Sequence, residues 1–156
     1  MNIEALRQFL VDSNQAGYAG GDAKQWVKEP DSSTTIPYIQ GEWRSHDNFF
    51  GGEPYGGRIV VFHQDAPVWM MVYYGWVAAG TAPDPVYAIL RKALMHMPDD
   101  APFRGPHEFV DGEFTYRNRW TGNVERYAGE EQVTQGGNLI YQANYLGGLV
   151  DHRRGV

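Results

Sequence analysis

The stretch "EPYGGRIVVFHQDAPVWMMVYYGWV" at residues 53–77 decides the predicted fold. It contains two runs of apolar, β-branched and aromatic residues, and the turn-forming residues "QDAP" (64–67) separate them. Such runs favour strands, so the stretch is predicted to form an antiparallel hairpin. The same two-residue period begins upstream at Ile36. We therefore predict an antiparallel β-meander over residues 36–77.

A second copy of this pattern occurs at residues 125–150, "ERYAGEEQVTQGGNLIYQANYLGGLV". The matched positions lie 72 residues apart. They are Glu53 with Glu125, Tyr55 with Tyr127, Gly57 with Gly129, Trp69 with Tyr141, Tyr73 with Tyr145, and Gly75 with Gly147. Similarity at a fixed offset indicates a repeated supersecondary unit. A second, related meander is therefore predicted over residues 109–150.

The first predicted helix lies at the start of the chain. Apolar residues recur there at helical spacing, namely Ile3, Leu6, Phe9 and Leu10. Asn2 suits the N-cap position, and Gly17 is expected to end the helix. The following segment, residues 18–37, mixes Gly, Pro, Ser and Asp, so no regular element is predicted in it.

The second predicted helix spans residues 84–97, between the two meanders. Asp84 suits the N-cap, Pro85 suits the first helical position, and Pro98 is expected to end the helix. The order helix, meander, helix, meander predicts an α+β fold and a single domain over residues 1–156. In this fold the two meanders form one curved sheet or two sheets, packed with two main α-helices.

The composition argues against several classes of protein. The net charge is −6 and the three lysines are scattered, so direct binding to nucleic acid is not expected. The absence of cysteine is compatible with a reducing compartment, and "MNIEALRQFL" is unlike a signal peptide, so a cytoplasmic location is predicted. The uncharged run after Asp65 contains Pro and Gly, which indicates a buried strand and not a membrane span.

Four aromatic residues are predicted to share one face of the sheet. Alternation places Trp69 and Tyr73 on one side of their strand, and Tyr141 and Tyr145 occupy the matching side of the second copy. These side chains are expected to form either ordinary core or the wall of a ligand cleft. The opposite side of residues 66–77 is also apolar, so this strand is predicted to be covered on both faces.

The matched glutamates Glu53 and Glu125 each precede a tyrosine, Tyr55 or Tyr127, by two residues. If the repeat brings the two carboxylates into one cleft, they could act as an acid and base pair or attract a cationic ligand. The alternative is that they form cross-strand ion pairs with nearby arginines. The candidate ligand-binding residues are therefore eight in number: Glu53, Tyr55, Trp69, Tyr73, Glu125, Tyr127, Tyr141 and Tyr145.

The glycines and histidines give no cofactor or metal prediction. The segment "GGEPYGGR" (51–58) lacks the lysine and the following helix of a phosphate loop, so Gly57 and its match Gly129 are predicted to turn the chain. The five histidines lack the spacing typical of a metal site.

Two segments, "APFRGPHEFVDGEFTYR" (101–117) and "VYYG" (72–75), give the chain a family likeness. In the order set by the meanders, they resemble a bacterial and archaeal domain family of unknown function. Members of that family stand alone or follow an XRE-type helix-turn-helix domain. The resemblance implies a sensor domain that binds some partner or ligand, and it supplies no catalytic residues.

The sequence leaves three functions open. The favoured one is a binding or sensing module for an apolar or cationic small molecule. The second is an interaction or structural domain that forms a homodimer. The third, less favoured, is a small hydrolase or isomerase that uses Glu53 and Glu125 as acid and base.

Overall fold

The computed structural model describes residues 1–19 and 25–151, and within these ranges it contains two helices and one antiparallel sheet. The helices are α1 (Ile3–Ala19) and α2 (Pro83–Leu94). The strands are β1 (Val27–Lys28), β2 (Thr34–Gln40), β3 (Trp43–Phe50), β4 (Tyr55–His63), β5 (Ala66–Val77), β6 (Glu108–Asp111), β7 (Phe114–Asn123), β8 (Arg126–Gln135) and β9 (Asn138–Leu149). The predicted α+β class is confirmed.

The nine described strands follow the order β1-β2-β3-β4-β5-β9-β8-β7-β6. Each predicted meander is therefore a continuous series of hairpins, one running from β2 to β5 and the other from β6 to β9. The two series meet where β5 pairs with β9, and Tyr73 lies directly opposite Tyr145 in that pairing. One sheet holds both series.

Both helices pack on the same face of the sheet. Alternate residues of β5, such as Trp69 and Met71, are buried beneath α1, and α2 covers Tyr141 of β9. The intervening residues of β5 are exposed; Tyr74, for example, is 52% exposed. The prediction that this strand is covered on both faces is therefore wrong for the described chain. Its outward aromatic rings contact one another, with Tyr74 and Trp76 centroids 6.0 Å apart.

Helix α1 begins as predicted and ends later than predicted. The Asn2 Oδ1 atom accepts hydrogen bonds from the backbone N–H groups of Glu4 (3.0 Å) and Ala5 (3.2 Å), which confirms its capping role. The helix continues through Gly17 to Ala19. A glycine within a helix costs only about 1 kcal/mol, which the packing of the apolar stripe against the sheet can offset.

Helix α2 is shorter than predicted at its C-terminal end and starts one residue earlier. Its N-cap is Ala82, which makes no side-chain capping bond, so the prediction of Asp84 as the cap is wrong. Asp84 lies in the first turn instead, where the helix dipole favours a carboxylate. The helix ends at Leu94 because the N–H of His96 bonds to the carbonyl of Ala93 (3.0 Å), in a tighter turn than the α-helical one.

Two short elements lie where no regular structure was predicted. Strand β1 and the first residues of β2 fall within the Gly-, Pro- and Ser-rich segment. Asn48 of β3 helps to fix this region, since its side-chain amide donates to the hydroxyls of Ser33 (2.8 Å) and Thr35 (3.0 Å). No helix in residues 1–19 and 25–151 is long and apolar enough to cross a membrane.

Two glycines predicted as turn residues lie inside strands, and each has a tyrosine ring above it. A Cβ atom on Gly57 of β4 would lie 2.6 Å from the Tyr73 hydroxyl oxygen, and one on Gly129 of β8 would lie 2.3 Å from that of Tyr145. Both distances are below van der Waals contact. The glycines are therefore needed for the close approach of the rings and not for a turn.

We predict that Gly129→Ala destabilises the protein by about 1–3 kcal/mol, because the new methyl group must displace the buried ring of Tyr145. Urea unfolding monitored by circular dichroism measures the change. Gly52→Ala is the matched control, since a Cβ atom there meets nothing within 4 Å. Equal stabilities for the two variants would contradict the role of Gly129.

Candidate functional site

A cleft of about 470 Å³ lies between α2 and strands β1 to β5, and we name it the α2 cleft. Five aromatic side chains line it: Trp26, Phe49, Tyr55, Tyr73 and Tyr87. Four charged side chains also reach it: Lys28, Asp47, Arg91 and Arg104. Aliphatic residues of α2, such as Leu90 and Leu94, complete the wall. The cleft therefore combines a large aromatic surface with a few charges, as ligand sites commonly do.

Two tyrosines at the sheet side of the cleft are held by hydrogen bonds. Tyr55 starts β4 and Tyr73 lies in the middle of β5, and their ring centroids are 6.0 Å apart. The Tyr73 hydroxyl donates to Asp47 Oδ1 at 2.5 Å, and the Tyr55 hydroxyl is bonded to the hydroxyl of Tyr141. The edges of both rings are thus fixed.

A buried carboxylate lies behind this wall. Glu131 of β8 is fully buried, and its Oε1 atom accepts from Arg104 Nη2 (2.5 Å) and Nε (3.0 Å). The hydroxyl of Tyr116 donates to Oε2 (2.7 Å), and that of Tyr141 donates to Oε1 (3.1 Å). A buried charge is tolerated only when it is paired and hydrogen-bonded in this way. Glu131 therefore anchors the Arg104 guanidinium at the edge of the cleft.

The phenols of this network are donors and not bases. Burial raises the pKa of Tyr116 and of Tyr141 well above the ordinary value, and the negative charge of Glu131 raises it further. Both hydroxyls therefore remain protonated at neutral pH. The network therefore holds one cation, Arg104, at the edge of the cleft, and its phenol protons are donated to Glu131.

The four predicted aromatic residues do share one face, but they divide between the cleft and the core. Tyr73 lines the cleft. Tyr141 does not, but its hydroxyl is hydrogen-bonded to that of Tyr55, which does. Trp69 is buried against Tyr127, with centroids 5.6 Å apart, and its Nε1 donates to the carbonyl of Val124 (3.0 Å). The Tyr145 hydroxyl donates to Asn118 Oδ1 (2.8 Å). Trp69, Tyr127 and Tyr145 thus belong to the core beneath α1.

The structure does not bring Glu53 and Glu125 together. Glu53 accepts from the backbone N–H of Val77 (2.6 Å) and from the Tyr87 hydroxyl, so it ties the start of β4 to α2. Glu125 lies at the opposite end of the β5–β9 pair, where its carbonyl accepts from the N–H of Leu149 (3.0 Å). Leu149 pairs with Trp69, and at about 3.3 Å per residue the Val77 end of β5 is roughly 26 Å away. An acid and base pair has no geometric support.

Sequence reasoning missed Asp47, Arg91, Arg104 and Glu131. One of them carried a readable signal: Glu131 has the same strand parity as Tyr127 and Val133, so it is a carboxylate on a face that buries its neighbours. Arg104 approaches from the loop after α2, and no local pattern indicates its partner. Within residues 1–19 and 25–151, no three His, Asp or Glu side chains cluster in a way that could hold a metal ion.

Replacing Glu131 by glutamine should lower the free energy of unfolding by about 3 kcal/mol, because Arg104 then keeps a largely buried charge without its counterion. Urea unfolding measures the loss. The double variant Glu131→Gln, Arg104→Gln removes both charges and should recover part of it. A single variant as stable as the wild type would refute the proposed anchoring.

Alkaline conditions should unfold the protein before its buried phenols ionise. Burial raises the pKa of Tyr116, Tyr127, Tyr141 and Tyr145, so their contribution to stability is complete below the unfolded value of about 10 and falls as the pH rises above it. Each adds a slope of about 1.4 kcal/mol per pH unit there. Tyr127→Phe should remove one such slope.

The measurement compares phenolate absorbance with far-ultraviolet circular dichroism during a titration above pH 10. The two signals should change together for the buried tyrosines. Phenolate absorbance from all tyrosines in a still-folded protein would contradict the prediction.

Comparison with models of protein families gives a match for this chain. The model described as a domain of unknown function, DUF5680, matches residues 47–150, which include β4 to β9, α2 and the Arg104–Glu131 pair. Comparison with curated proteins and with solved structures gives no significant match. Because the matched segment covers more than half of the chain, the chain belongs to the DUF5680 family.

Proposed function

We propose that this domain binds a small molecule in the α2 cleft and that the ligand has a flat, largely apolar body. The observation that carries the proposal is an aromatic-lined cleft of about 470 Å³, which falls within the usual range of roughly 300–1,000 Å³ for small-molecule sites. Ring faces attract planar ligands through burial and stacking.

Fixed walls support the proposal, since a preformed site loses little freedom on binding. The hydroxyls of Tyr55 and Tyr73 form hydrogen bonds within the protein, which fix their rings. Trp26 and Phe49 meet edge to face, with centroids 5.8 Å apart, and Trp26 remains 52% exposed. An exposed tryptophan beside a concave aromatic surface is a suitable contact for a ligand.

We also infer that the two sheet halves are related repeats, approximately residues 36–77 and 109–150, within a single domain. Matching contacts support this inference. The Tyr73 bond to Asp47 corresponds to that of Tyr145 to Asn118, and the Gln64 bond to Glu42 (2.9 Å) corresponds to that of Gln135 to Glu113 (2.8 Å). Glycines under the rings of Tyr55 and Tyr127 form another matched set.

The repeat sharpens the interpretation of the cleft. In the second half, the ring of Phe103 stacks on Tyr127 with centroids 4.0 Å apart, so the matching position is filled by the chain itself. In the first half, the corresponding Tyr55 lines an open cleft. In the second half a side chain of the protein covers the tyrosine ring, and in the first half the matching ring faces the cleft. This difference favours a ligand site in the first half.

A sensing role follows from the proposed binding and from the family resemblance. Domains of this kind that follow an XRE-type helix-turn-helix would pass ligand occupancy to a DNA-binding unit. Here we propose a cytoplasmic sensor of bacterial type. Direct contact with nucleic acid is not part of the proposal, because the chain carries a net charge of −6.

Self-association is the second candidate function, and the outer face of the sheet favours it. Exposed apolar side chains are contiguous there across β5 and β9, namely Val72, Tyr74, Trp76 and Leu146. Such a patch can pair with its own copy about a two-fold axis. Light scattering should detect a dimer that Tyr74→Lys with Leu146→Lys dissociates, and a monomer at millimolar concentration would exclude it.

A library of planar aromatic compounds should contain ligands that raise the melting temperature. At about 100 times its Kd, a ligand stabilises the folded state by about 2.7 kcal/mol, which corresponds to a rise of roughly 5–10 °C for a domain of this size. Gly52→Trp should abolish the rise, since Gly52 lines the cleft and has room for a side chain.

Thr121→Trp is the matched control, because it adds the same side chain at an exposed position of β7. It should leave the ligand-induced rise unchanged. Ligands that stabilise Gly52→Trp as strongly as the wild type would show that they bind elsewhere.

A further inference from the structure

We propose that the ligand of the α2 cleft is a planar organic anion whose negative group is bound by Arg91 and Lys28. This inference rests on the proposed binding function and names the chemical class of the ligand. It differs from the apolar or cationic ligand expected from the sequence.

The charges that line the cleft are unbalanced. Among the described lining residues, three are cations, Lys28, Arg91 and Arg104, and one is a carboxylate, Asp47. The Arg104 charge is compensated by buried Glu131. Two cations then face one carboxylate, in a chain where Asp and Glu outnumber Lys and Arg by 19 to 13. A concave site with an excess of positive charge in an acidic protein attracts anions.

Arg91 is the strongest element of this site. It lies on the exposed side of α2 at the cleft, and no described residue forms an ion pair or hydrogen bond with its side chain. A cation in the last turn also interacts favourably with the helix dipole. The interaction with the helix dipole applies to Lys92 as well, because both residues lie in the last turn of α2. Lys92, however, forms an ion pair with Asp111, while Arg91 lines the cleft. The difference in direction favours a ligand-binding role for Arg91.

The carboxylates near the cleft are held by neutral donors of the protein, which fix their direction without cancelling their charge. Asp47 accepts the hydroxyl of Tyr73, and Glu53 accepts both the Val77 N–H and the Tyr87 hydroxyl. Burial and the neighbouring Glu53 raise the pKa of Tyr87, so this donor keeps its proton. Glu53 is thus a brace between α2 and the sheet, and a cationic ligand would find Asp47 as its only carboxylate among the described lining residues.

The side chains that line the cleft suit a ligand with an apolar ring and an acidic group. A guanidinium binds a carboxylate through two parallel hydrogen bonds, whereas an ammonium acts as a compact point charge. Lys28 already donates to Thr34 Oγ1 (2.7 Å), which holds its amino group at the β1 side of the cleft. The ring would lie against Tyr55 and Phe49.

Three probes of one shape and different charge test the proposal: naphthalene-2-carboxylate, its neutral carboxamide, and 2-naphthylmethylamine. Calorimetric titration should give at least tenfold tighter binding for the carboxylate than for the carboxamide, and weaker binding still for the amine. The advantage of the carboxylate should shrink as sodium chloride is raised from about 50 to 300 mM, because salt screens the attraction.

Arg91→Gln should bring carboxylate binding down to the level of the carboxamide and leave carboxamide binding unchanged. Lys92→Gln is the matched control, since it removes the adjacent charge outside the cleft. Circular dichroism confirms that both variants fold. An Arg91→Gln variant that binds the carboxylate as tightly as the wild type would overturn the inference.

The remaining outcomes separate the inference from the function on which it rests. If the carboxamide or the amine binds best and Gly52→Trp abolishes that binding, the cleft is a ligand site and the anionic class is wrong. If none of the three probes binds, both proposals are rejected for ligands of this shape.

Discussion

The pairing of β5 with β9 is the contact on which the rest of the structure depends. It is the only strand pairing that joins the two hairpin series within the described sheet, and it runs from Trp69 opposite Leu149 to Val77 opposite Tyr141. Antiparallel pairing about the central Tyr73 and Tyr145 sends the two series away in opposite directions. Each half then needs its own helix, because an isolated sheet face of this size cannot remain buried without a second layer. The cleft lies at the boundary of α2 and the first half.

This pairing also sets the direction of the tyrosines. Rings on β5 and β9 lie flat over neighbouring strands only because those strands carry glycine at the contact points, as at Gly57 and Gly129. A flat ring leaves its hydroxyl at the far side of the neighbouring strand, where Asp47 or Asn118 accepts it. The tyrosine rings therefore require glycine on the strand beneath them, and their hydroxyls require a polar acceptor on the strand beyond it.

Much of the fold could be predicted from sequence because it rests on local patterns. Two-residue alternation identified the meanders, and the fixed offset of 72 matched Tyr73 with Tyr145, which lie opposite each other in the sheet. The helix ends were less predictable, since backbone turn geometry ended α2 before Pro98. The exposure of the outer face of β5 could not be predicted either. An apolar strand has the same sequence pattern whether a helix covers its second face or that face is exposed.

The candidate site was harder to predict because its key contacts join distant segments. Arg104 and Glu131 are separated by 27 positions, and Tyr55 and Tyr141 by 86. Matched sequence positions pointed to Glu53 and Glu125, yet a match at a fixed offset does not by itself place two residues next to each other. In the antiparallel β5–β9 pairing, two matched residues lie farther apart the farther they are from Tyr73 and Tyr145. The central tyrosines are therefore neighbours, and Glu53 and Glu125 are separated.

The buried Glu131 gives the strongest reason to regard the α2 cleft as more than a packing defect. An apolar residue of similar size at this position would avoid the cost of burying a charge, and replacement of buried ion pairs by apolar residues is often neutral or stabilising. The chain instead holds Glu131 with three donors and thereby fixes Arg104 at the edge of the cleft. A costly anchor for one cation is understandable if the direction of that cation matters. Under the proposed binding function, the fixed Arg104 shapes the wall of the cleft, while Arg91 and Lys28 supply the charge for the ligand.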